Sequence, residues 1–392
     1  MTAPLAGVRV LDFTRYQQGP YATVLLSDLG AEIVKVEHPE GEPGRRTGLD
    51  RAGFSAYFEA HNRGKKSITL NLREGAARET VRRLLPLFDV VVENFRPRTM
   101  ERMGLGYEAL RAIRDDIIVG SASAFGREGP WAERPGYDHV AQALSGVMSE
   151  QGGGPGHEPE ALIGGFADQI SAMMLALAVV SALYVRSETG RGQLVDVSLI
   201  GSLTGLQAMP LTRFLRTGRQ FGKQRYRAAT YTHYRCLDGG YIAVAANTQP
   251  MWERLCEALG RSDLGSDERF KGPWARDRNL QELVAILRSE FASRPRADWE
   301  DRLAAHDVPH APVLEYAAVA EHPQYAANGY FVDIDHPNLG RMRVPGPAIH
   351  MSETPPSVQG GGPELGQHTE EILLEAGLTW DEIEALKDAG AI

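Results

Sequence analysis

An α/β fold, with a large domain on a parallel sheet and a smaller α+β domain, is what this 392-residue sequence predicts. Three observations carry that prediction. Short apolar strands alternate with helical segments between Val8 and Ser121, the rhythm of a doubly wound sheet. A long apolar helix lies within Ile163–Gln193. After about Leu203 the composition turns basic and polar, and a second set of strands and helices follows. The length also exceeds one ordinary core.

The chain opens with the apolar strand Val8–Phe13, a turn over Thr14–Pro20 and a helix over about Tyr21–Leu29. Gly30 ends that helix and Glu32–Glu37 makes the second strand. A β-α-β unit of this length implies parallel pairing. The first turn reads RYQQGP and lacks the G-x-G-x-x-G that lets a backbone approach a pyrophosphate, which argues against a dinucleotide site with Glu37 as its ribose acid. Ser67–Leu72, Glu74–Leu87, Asp89–Glu93, Tyr107–Arg114 and Ile117–Ser121 continue the alternation as strand, helix, strand, helix and strand.

NFRPRTMERMG, Asn94–Gly104, follows a strand end, where open α/β sheets bind ligands. Arg96, Arg98 and Arg102 stand beside Phe95, and arginine forks suit phosphate while an aromatic face suits a base. A solvated helix start reads the same way. The Gly- and Pro-rich loop from Phe125 leads into the helix HVAQALSGVM, with Tyr137, Asp138 and His139 at the junction as a site wall or as local capping.

In Ile163–Gln193 a Gly-Gly pair precedes Asp168, the run Ile170–Val185 is apolar, and Arg186, Thr189, Gly190, Arg191 and Gly192 close the segment. This is a buried helix with glycine-marked ends. Its apolar run is shorter than the ~20 residues of a membrane span. Asp168 falls in the first turn, where the dipole favours an anion and free backbone N–H groups suit a developing oxyanion. A plain helix cap is the competing reading.

Further on, Arg213–Arg227 reads as an exposed linker or an electrostatic surface. Tyr231–Ala245 reads as a hairpin around Asp238-Gly239-Gly240. Helices over about Gln249–Leu259, Leu280–Ser293 and Arg296–His306 complete the smaller unit. Beyond Gly329 come strand and turn, the helix EEILLEAGL and an acidic tail. The expected division is 1–205 as the large α/β domain, 206–228 as linker, 229–325 as the small domain and 326–392 as a return to the large one.

With 43% hydrophobic and 24% charged residues and a formal charge of −9, the composition is that of a globular protein without the basic face of a general nucleic-acid binder. Cys236 and Cys256 form no CxxC pair or disulfide framework, and MTAPLAGVRVLDF shows no secretory pattern. A cytoplasmic protein with no metal centre is the expectation.

Several stretches together exceed what spacing establishes. LDFTRYQQGPYAT, LGAEIVKVEHP, NRGKKSITLNL, VVENFRPRTMERMGLGYEAL, SASAFGREGPWAERPGYDHVAQALSG, GGFAD, ETGRGQLVDVSL and LGQHTEEIL run nearly the length of the chain. In these the sequence resembles the class III CoA-transferases, the CaiB/BaiF family that includes formyl-CoA transferase and alpha-methylacyl-CoA racemase.

The resemblance implies a large Rossmann-like domain built from both ends of the chain, and a homodimer of two interlocked chains. It implies Asp168 as nucleophile, able to form an anhydride and then a CoA thioester without ATP. The absence of a P-loop motif agrees. It implies that Gln17 positions the acyl group, with Tyr137 and Asp138 lining the same site. Coenzyme A, a substrate and not a tightly bound cofactor, is expected against Tyr16, His38, Leu70, Asn94, Phe95 and Arg102, with Arg73 and Arg96 as weaker matches.

Two departures matter. Tyr137 stands where the racemase branch has a catalytic histidine, although His139 is near, and the glycine-rich loop of formyl-CoA transferase is not visible. CoA transfer from an acyl-CoA, succinyl-CoA among them, to a carboxylic acid is therefore the leading expectation. The alternatives are an acyl-CoA racemase or isomerase using Asp168 and His139, and a non-catalytic CoA-binding protein. Arg15, Arg45 and Arg46 suit a dicarboxylate, CoA or solvent equally.

Overall fold

The site rests on six parallel strands. The computed structural model describes residues 3–50, 53–220, 228–336 and 338–392. Strands β1 (Arg9–Asp12), β2 (Glu32–Glu37), β3 (Lys66–Thr69), β4 (Val90–Glu93), β5 (Ile118–Ser123) and β6 (Leu194–Ser198) lie in the order β3-β2-β1-β4-β5-β6, every pairing parallel. The order reverses between β1 and β4, which makes the space beyond their carboxyl ends the switch point of the sheet. The expected strands are present within a few residues. β6 is an addition: LVDVS follows directly on the TGRGQ turn and has no flanking punctuation of its own.

Helices α1 (Gln18–Asp28), α2 (Ala56–Asn62), α3 (Gly75–Leu84), α4 (Thr99–Arg102), α5 (Tyr107–Arg111), α6 (Asp138–Leu144) and α7 (Val147–Gly152) precede the long α8 (Phe166–Thr189). After β6 come α9 (Leu199–Leu206) and α10 (Ala208–Thr217). α1 starts three residues earlier than Tyr21 because Pro20 is tolerated in a first turn. HVAQALSGVM is two helices rather than one, since Gly146 takes φ +83° between them. The expected linker is also partly helix, with Arg213 and Arg216 on α10; its remainder at 221–227 lies outside the described residues.

α8 packs a narrow face of small residues, Ala172, Ala176 and Ala182 with Leu175 and Val179, against Val10, Val90, Val92 and Ile118 of the sheet. Each fully buried Leu or Val there contributes roughly 1.5–3 kcal/mol. At 24 residues α8 outruns its apolar stretch, and among the described residues it is the one helix long and apolar enough to cross a membrane. A core helix packed on a sheet passes the same test, so this is weak evidence of a span.

Contacts divide the chain into two units. The first comprises Met1–Gln151, Pro159–Gln220 and Gln324–Ile392. The second comprises Gly152–Glu158 and Phe221–Pro323. The second holds the antiparallel strands β7 (Tyr231–Arg235), β8 (Tyr241–Ala245) and β9 (His310–Pro312), the first two forming the expected hairpin. With them run α11 (Gln249–Leu259), α12 (Ser262–Ser266), α13 (Pro273–Arg278), α14 (Leu280–Phe291), α15 (Arg296–Ala305) and α16 (Tyr316–Ala320). Trp252, Phe270, Phe291 and Trp299 fill its core.

The final part of the first unit runs through α17 (Pro323–Ala327), β10 (Phe331–His336), β11 (Gly340–Pro345), α18 (Thr369–Glu375) and α19 (Trp380–Asp388). Ile372, Leu373 and Ile383 return to the core under β1 to β4. The expected acidic tail is thus a capped helix, because Thr379 and Glu382 form a capping box at its start.

Candidate active site

A buried ion cluster shapes the turn after β1. Asp12, with no exposed surface, accepts from the Thr14 N–H (2.8 Å), the Thr14 and Thr23 hydroxyls (2.5 and 2.7 Å) and Lys65 Nζ (3.0 Å). Burial alone would raise its pKa, but Lys65 and Lys35 hold the carboxyl below the usual range. Lys35 Nζ donates to the Thr14 carbonyl (2.8 Å), and the Tyr16 N–H donates to Glu42 (3.0 Å). Between these anchors Tyr16 adopts φ +65°, an uncommon conformation for a residue with a side chain. The turn is thereby fixed, and Gln17 follows it.

Across the switch point, the Asn94 side chain after β4 exchanges two bonds with the Arg15 backbone, at 2.8 and 2.9 Å. The Phe95 N–H donates to buried Glu93 (2.8 Å), and the Arg15 guanidinium lies 5.2 Å from the Phe95 ring centre. The loops after β1 and β4 therefore form one wall.

The opposite wall comes from the loop after β5. Gly136 is close to Ala124, where an added Cβ would stand 2.5 Å from the alanine methyl. This contact brings Tyr137 within 5.6 Å of Tyr16, ring to ring and edge-on. At the start of α6 the Asp138 carboxylate accepts from the backbone N–H groups of Ala167 (2.7 Å) and Asp168 (3.1 Å). Those groups are not free for an oxyanion, contrary to the expectation for a helix start. A neighbouring acid already caps them.

Gln17 is likewise engaged. Its Nε2 donates to the carbonyls of Gly164 (3.1 Å) and Gly165 (3.3 Å). An added Cβ on Gly165 would lie 2.3 Å from that amide, so a side chain here would displace the Gln17 amide. Burial, reinforced by the charge of Asp138, pushes the Asp168 carboxyl up to about 7. A desolvated carboxylate that ionises near pH 7 and lines a cavity has the chemistry for nucleophilic attack on an acyl carbon.

A cavity of about 260 Å³ brings together Tyr16, Gln17, Asn94, Phe95, Arg96, Tyr137 and Asp168. Asp138 stands behind it through its bonds to α8. The other expected contacts lie outside the lining. His38 accepts the Glu40 N–H (3.2 Å), Leu70 is buried in the core, Arg73 is exposed, and Arg102 donates to Thr99 (2.9 Å). His139 is exposed and does not line the cavity. Arg15 lines it, whereas Arg45 is bonded to Glu37 and Arg46 to the Glu40 carbonyl.

Sequence reasoning missed three neighbours. Gln18 joins Ser171 of α8 (2.7 Å) to the Ser123 carbonyl (3.2 Å), and Arg134 lines the cavity while stacking 4.1 Å from the Trp131 ring centre. Tyr57 on α2 has its pKa raised by burial and then by the charge of Asp168. None of them belongs to a local chemical motif.

The family profile described as CoA-transferase family III matches residues 5–369. The succinyl-CoA:glutarate CoA-transferase of Mus musculus is 34% identical over 396 residues, covering 99% of this chain and 90% of the relative. The succinyl-CoA–D-citramalate CoA-transferase of Chloroflexus aurantiacus is 31% identical over 390 residues, covering 98% and 97%. The crystal structure of a CaiB/BaiF family protein from Brucella suis superposes with a TM-score of 0.84 at 34% identity, covering 96% of this chain and all of that one.

Proposed function

The chain belongs to CoA-transferase family III, and from that premise we propose that it moves CoA from succinyl-CoA to a carboxylic acid, with Asp168 as nucleophile. The observation that carries the mechanism is the placement of Asp168: at the head of the core helix, on the cavity wall, in a setting that holds its carboxyl near neutrality.

One Asp168 oxygen attacks the thioester carbonyl. The C–S bond breaks, CoA leaves as the thiolate, and a mixed anhydride remains. The thiolate then attacks the aspartyl carbonyl and releases the donor acid as its carboxylate, leaving an aspartyl-CoA thioester. The acceptor carboxylate attacks that thioester, CoA departs again, and its thiolate takes the acceptor's acyl carbon, regenerating Asp168. Thioester is exchanged for thioester, so no ATP and no resident cofactor enters. Gln17 offers amide donors to each tetrahedral oxyanion once it lets go of the Gly164 and Gly165 carbonyls. Phe95 and Arg96 face the base and phosphates of CoA.

We extend the reading to a homodimer. It is supported by the outer face of α8, where Met173, Leu177 and Tyr184 are 46%, 61% and 68% exposed. Two buried, unbridged thiols at Cys236 and Cys256 fit a reducing, cytoplasmic setting.

The test is a mass spectrum after incubation with succinyl-CoA and hydroxylamine, which turns an activated aspartyl group into a hydroxamate. The modification is expected on the peptide carrying Asp168 and is expected to vanish in Asp168→Ala. Sustained CoA exchange by the Asp168→Ala protein would sink the mechanism.

A further inference from the structure

Gln142 is 1% exposed and one turn along α6 from Asp138. Its Nε2 donates to Asp138 Oδ1 at 2.6 Å and to the Leu162 carbonyl at 3.0 Å. Its Oε1 accepts the Leu162 N–H at 2.9 Å. Both donors and the acceptor of one amide are therefore committed.

The partners of that amide lead to the reacting groups by two routes. Through Asp138, Gln142 orients the carboxylate whose other oxygen receives the Ala167 and Asp168 N–H groups. Through Leu162, it grips both backbone groups of the residue before the turn Ile163–Gly165. That turn places Gly164 at φ +78° and Gly165 at φ +66°, and its carbonyls hold the Gln17 amide. A turn of two left-handed glycines has little rigidity of its own. Its geometry is imposed from the ends: by α8 on one side and by the Gln142 amide on the other.

We propose that Gln142 is a positioning residue for acyl transfer: it holds Asp138 and the Ile163–Gly165 turn so that the Asp168 carboxylate is aimed at the acyl carbon and the Gln17 amide waits on the same turn until the oxyanion draws it away. The inference rests on the reading of Asp168 as nucleophile. Gln142 lies outside the cavity lining, so it acts on the reaction only through its neighbours.

Two variants test it. Gln142→Met keeps the length and removes every hydrogen bond. Gln142→Glu keeps the acceptor for the Leu162 N–H but sets a carboxylate against Asp138 and the Leu162 carbonyl. The readouts are kcat, KM for succinyl-CoA, and the rate at which hydroxylamine traps the peptide carrying Asp168, in protein shown by thermal denaturation to be folded. The expected result is a fall of roughly ten- to hundredfold in kcat and in trapping rate, as misplacement of reacting groups gives. KM is expected to stay within roughly threefold, because ground-state binding is untouched.

A purely structural glutamine would lower the melting temperature and leave kcat per folded molecule unchanged, and that outcome overturns the proposal. Should Gln142→Met fail to fold, Gln142→Glu decides by the same measure. Wild-type protein that is never trapped with any acyl-CoA would refute the transferase chemistry itself. Wild-type and variants trapped at equal rates would refute the role of Gln142 alone.

Discussion

The carboxylate of Asp138 caps the backbone N–H of Asp168 at 3.1 Å and, by its charge, raises the pKa of that same residue's side chain. One contact thus anchors the helix start and adds to the burial that makes the Asp168 carboxylate costly to ionise. Forming an anhydride or a thioester removes that negative charge and relieves the repulsion. In the proposed mechanism the pair thus favours the acylated states relative to the free carboxylate.

This arrangement sets the pH dependence of the first step. In the proposed mechanism Asp168 attacks as the carboxylate, so trapping of the aspartyl intermediate is expected to rise with pH through a midpoint near 7. Asp138→Asn keeps an acceptor for the Ala167 and Asp168 N–H groups and deletes the charge. The midpoint is expected to fall, though not to that of an exposed acid, since burial is the larger cause of the shift. The plateau rate falls too, because the new amide faces the Gln142 donor. An unmoved midpoint would show that Asp138 does not act on Asp168 electrostatically.

The same shift makes Asp168 a liability for the fold. Its pKa is raised from 3.8 to about 7, so the folded chain binds its proton more tightly than the unfolded chain. Stability from this group falls as pH rises from about 4 to about 7 and is flat above that. Asp168→Asn should leave the melting temperature unchanged near pH 4 and raise it at pH 8, where the gain in stability is on the order of a few kcal/mol. Melting curves of both proteins at the two pH values check this, and an equal shift at both would contradict it.

Much of this was legible in the residues. The alternation from Val8 to Ser121 is a periodic signal, and the parallel sheet follows from it. The glycines before Asp168 marked the helix start. What the residues could not show is pairing across the chain: Arg15 with Asn94, Gln17 with Gly164, Asp138 with Ala167. These join positions about 30 to 150 residues apart, and no local period encodes them. Reading a helix start in isolation also assigns it free N–H groups, which is why the cap by Asp138 came only with the fold. β6 was hidden because LVDVS, five residues interrupted by Asp196 and lying directly beside a turn, is too short for a period to register.

Gly164 and Gly165 separate two costs that are usually confounded. Both have positive φ, so alanine at either strains the backbone by roughly 1 kcal/mol. At Gly164 an added Cβ meets nothing within 4 Å, whereas at Gly165 it lies 2.3 Å from the Gln17 amide. Gly164→Ala is expected to lose a little stability and keep most activity. Gly165→Ala is expected to lose kcat by roughly a hundredfold, since the added methyl takes the place of the Gln17 amide and pushes it away from Asp168's end of the cavity. Steady-state rates with denaturation curves for both variants distinguish the two, and equal kcat values would refute the role of this contact.

The buried pair Asp12–Lys65 gives the sharpest stability test. Both side chains have no exposed surface, and their charged atoms lie 3.0 Å apart. Burial is the main reason Lys65 is lowered to about 8, with Asp12 opposing it. Asp12→Ala leaves that ammonium with the Pro20 carbonyl and Asn62, close to Lys35, and strips the Thr14 N–H and hydroxyl of their acceptor, while the Thr23 hydroxyl keeps the Pro20 carbonyl. An uncompensated buried charge costs roughly 3–5 kcal/mol. Asp12→Asn keeps an acceptor for Thr14 and should cost less. The turn carrying Tyr16 and Gln17 hangs from the same atoms, so Asp12→Ala should lose activity even in the molecules that remain folded. Urea denaturation reads the first effect and kcat per folded molecule the second; a stability loss under about 1 kcal/mol would mean that Lys65 finds another partner or sheds its proton.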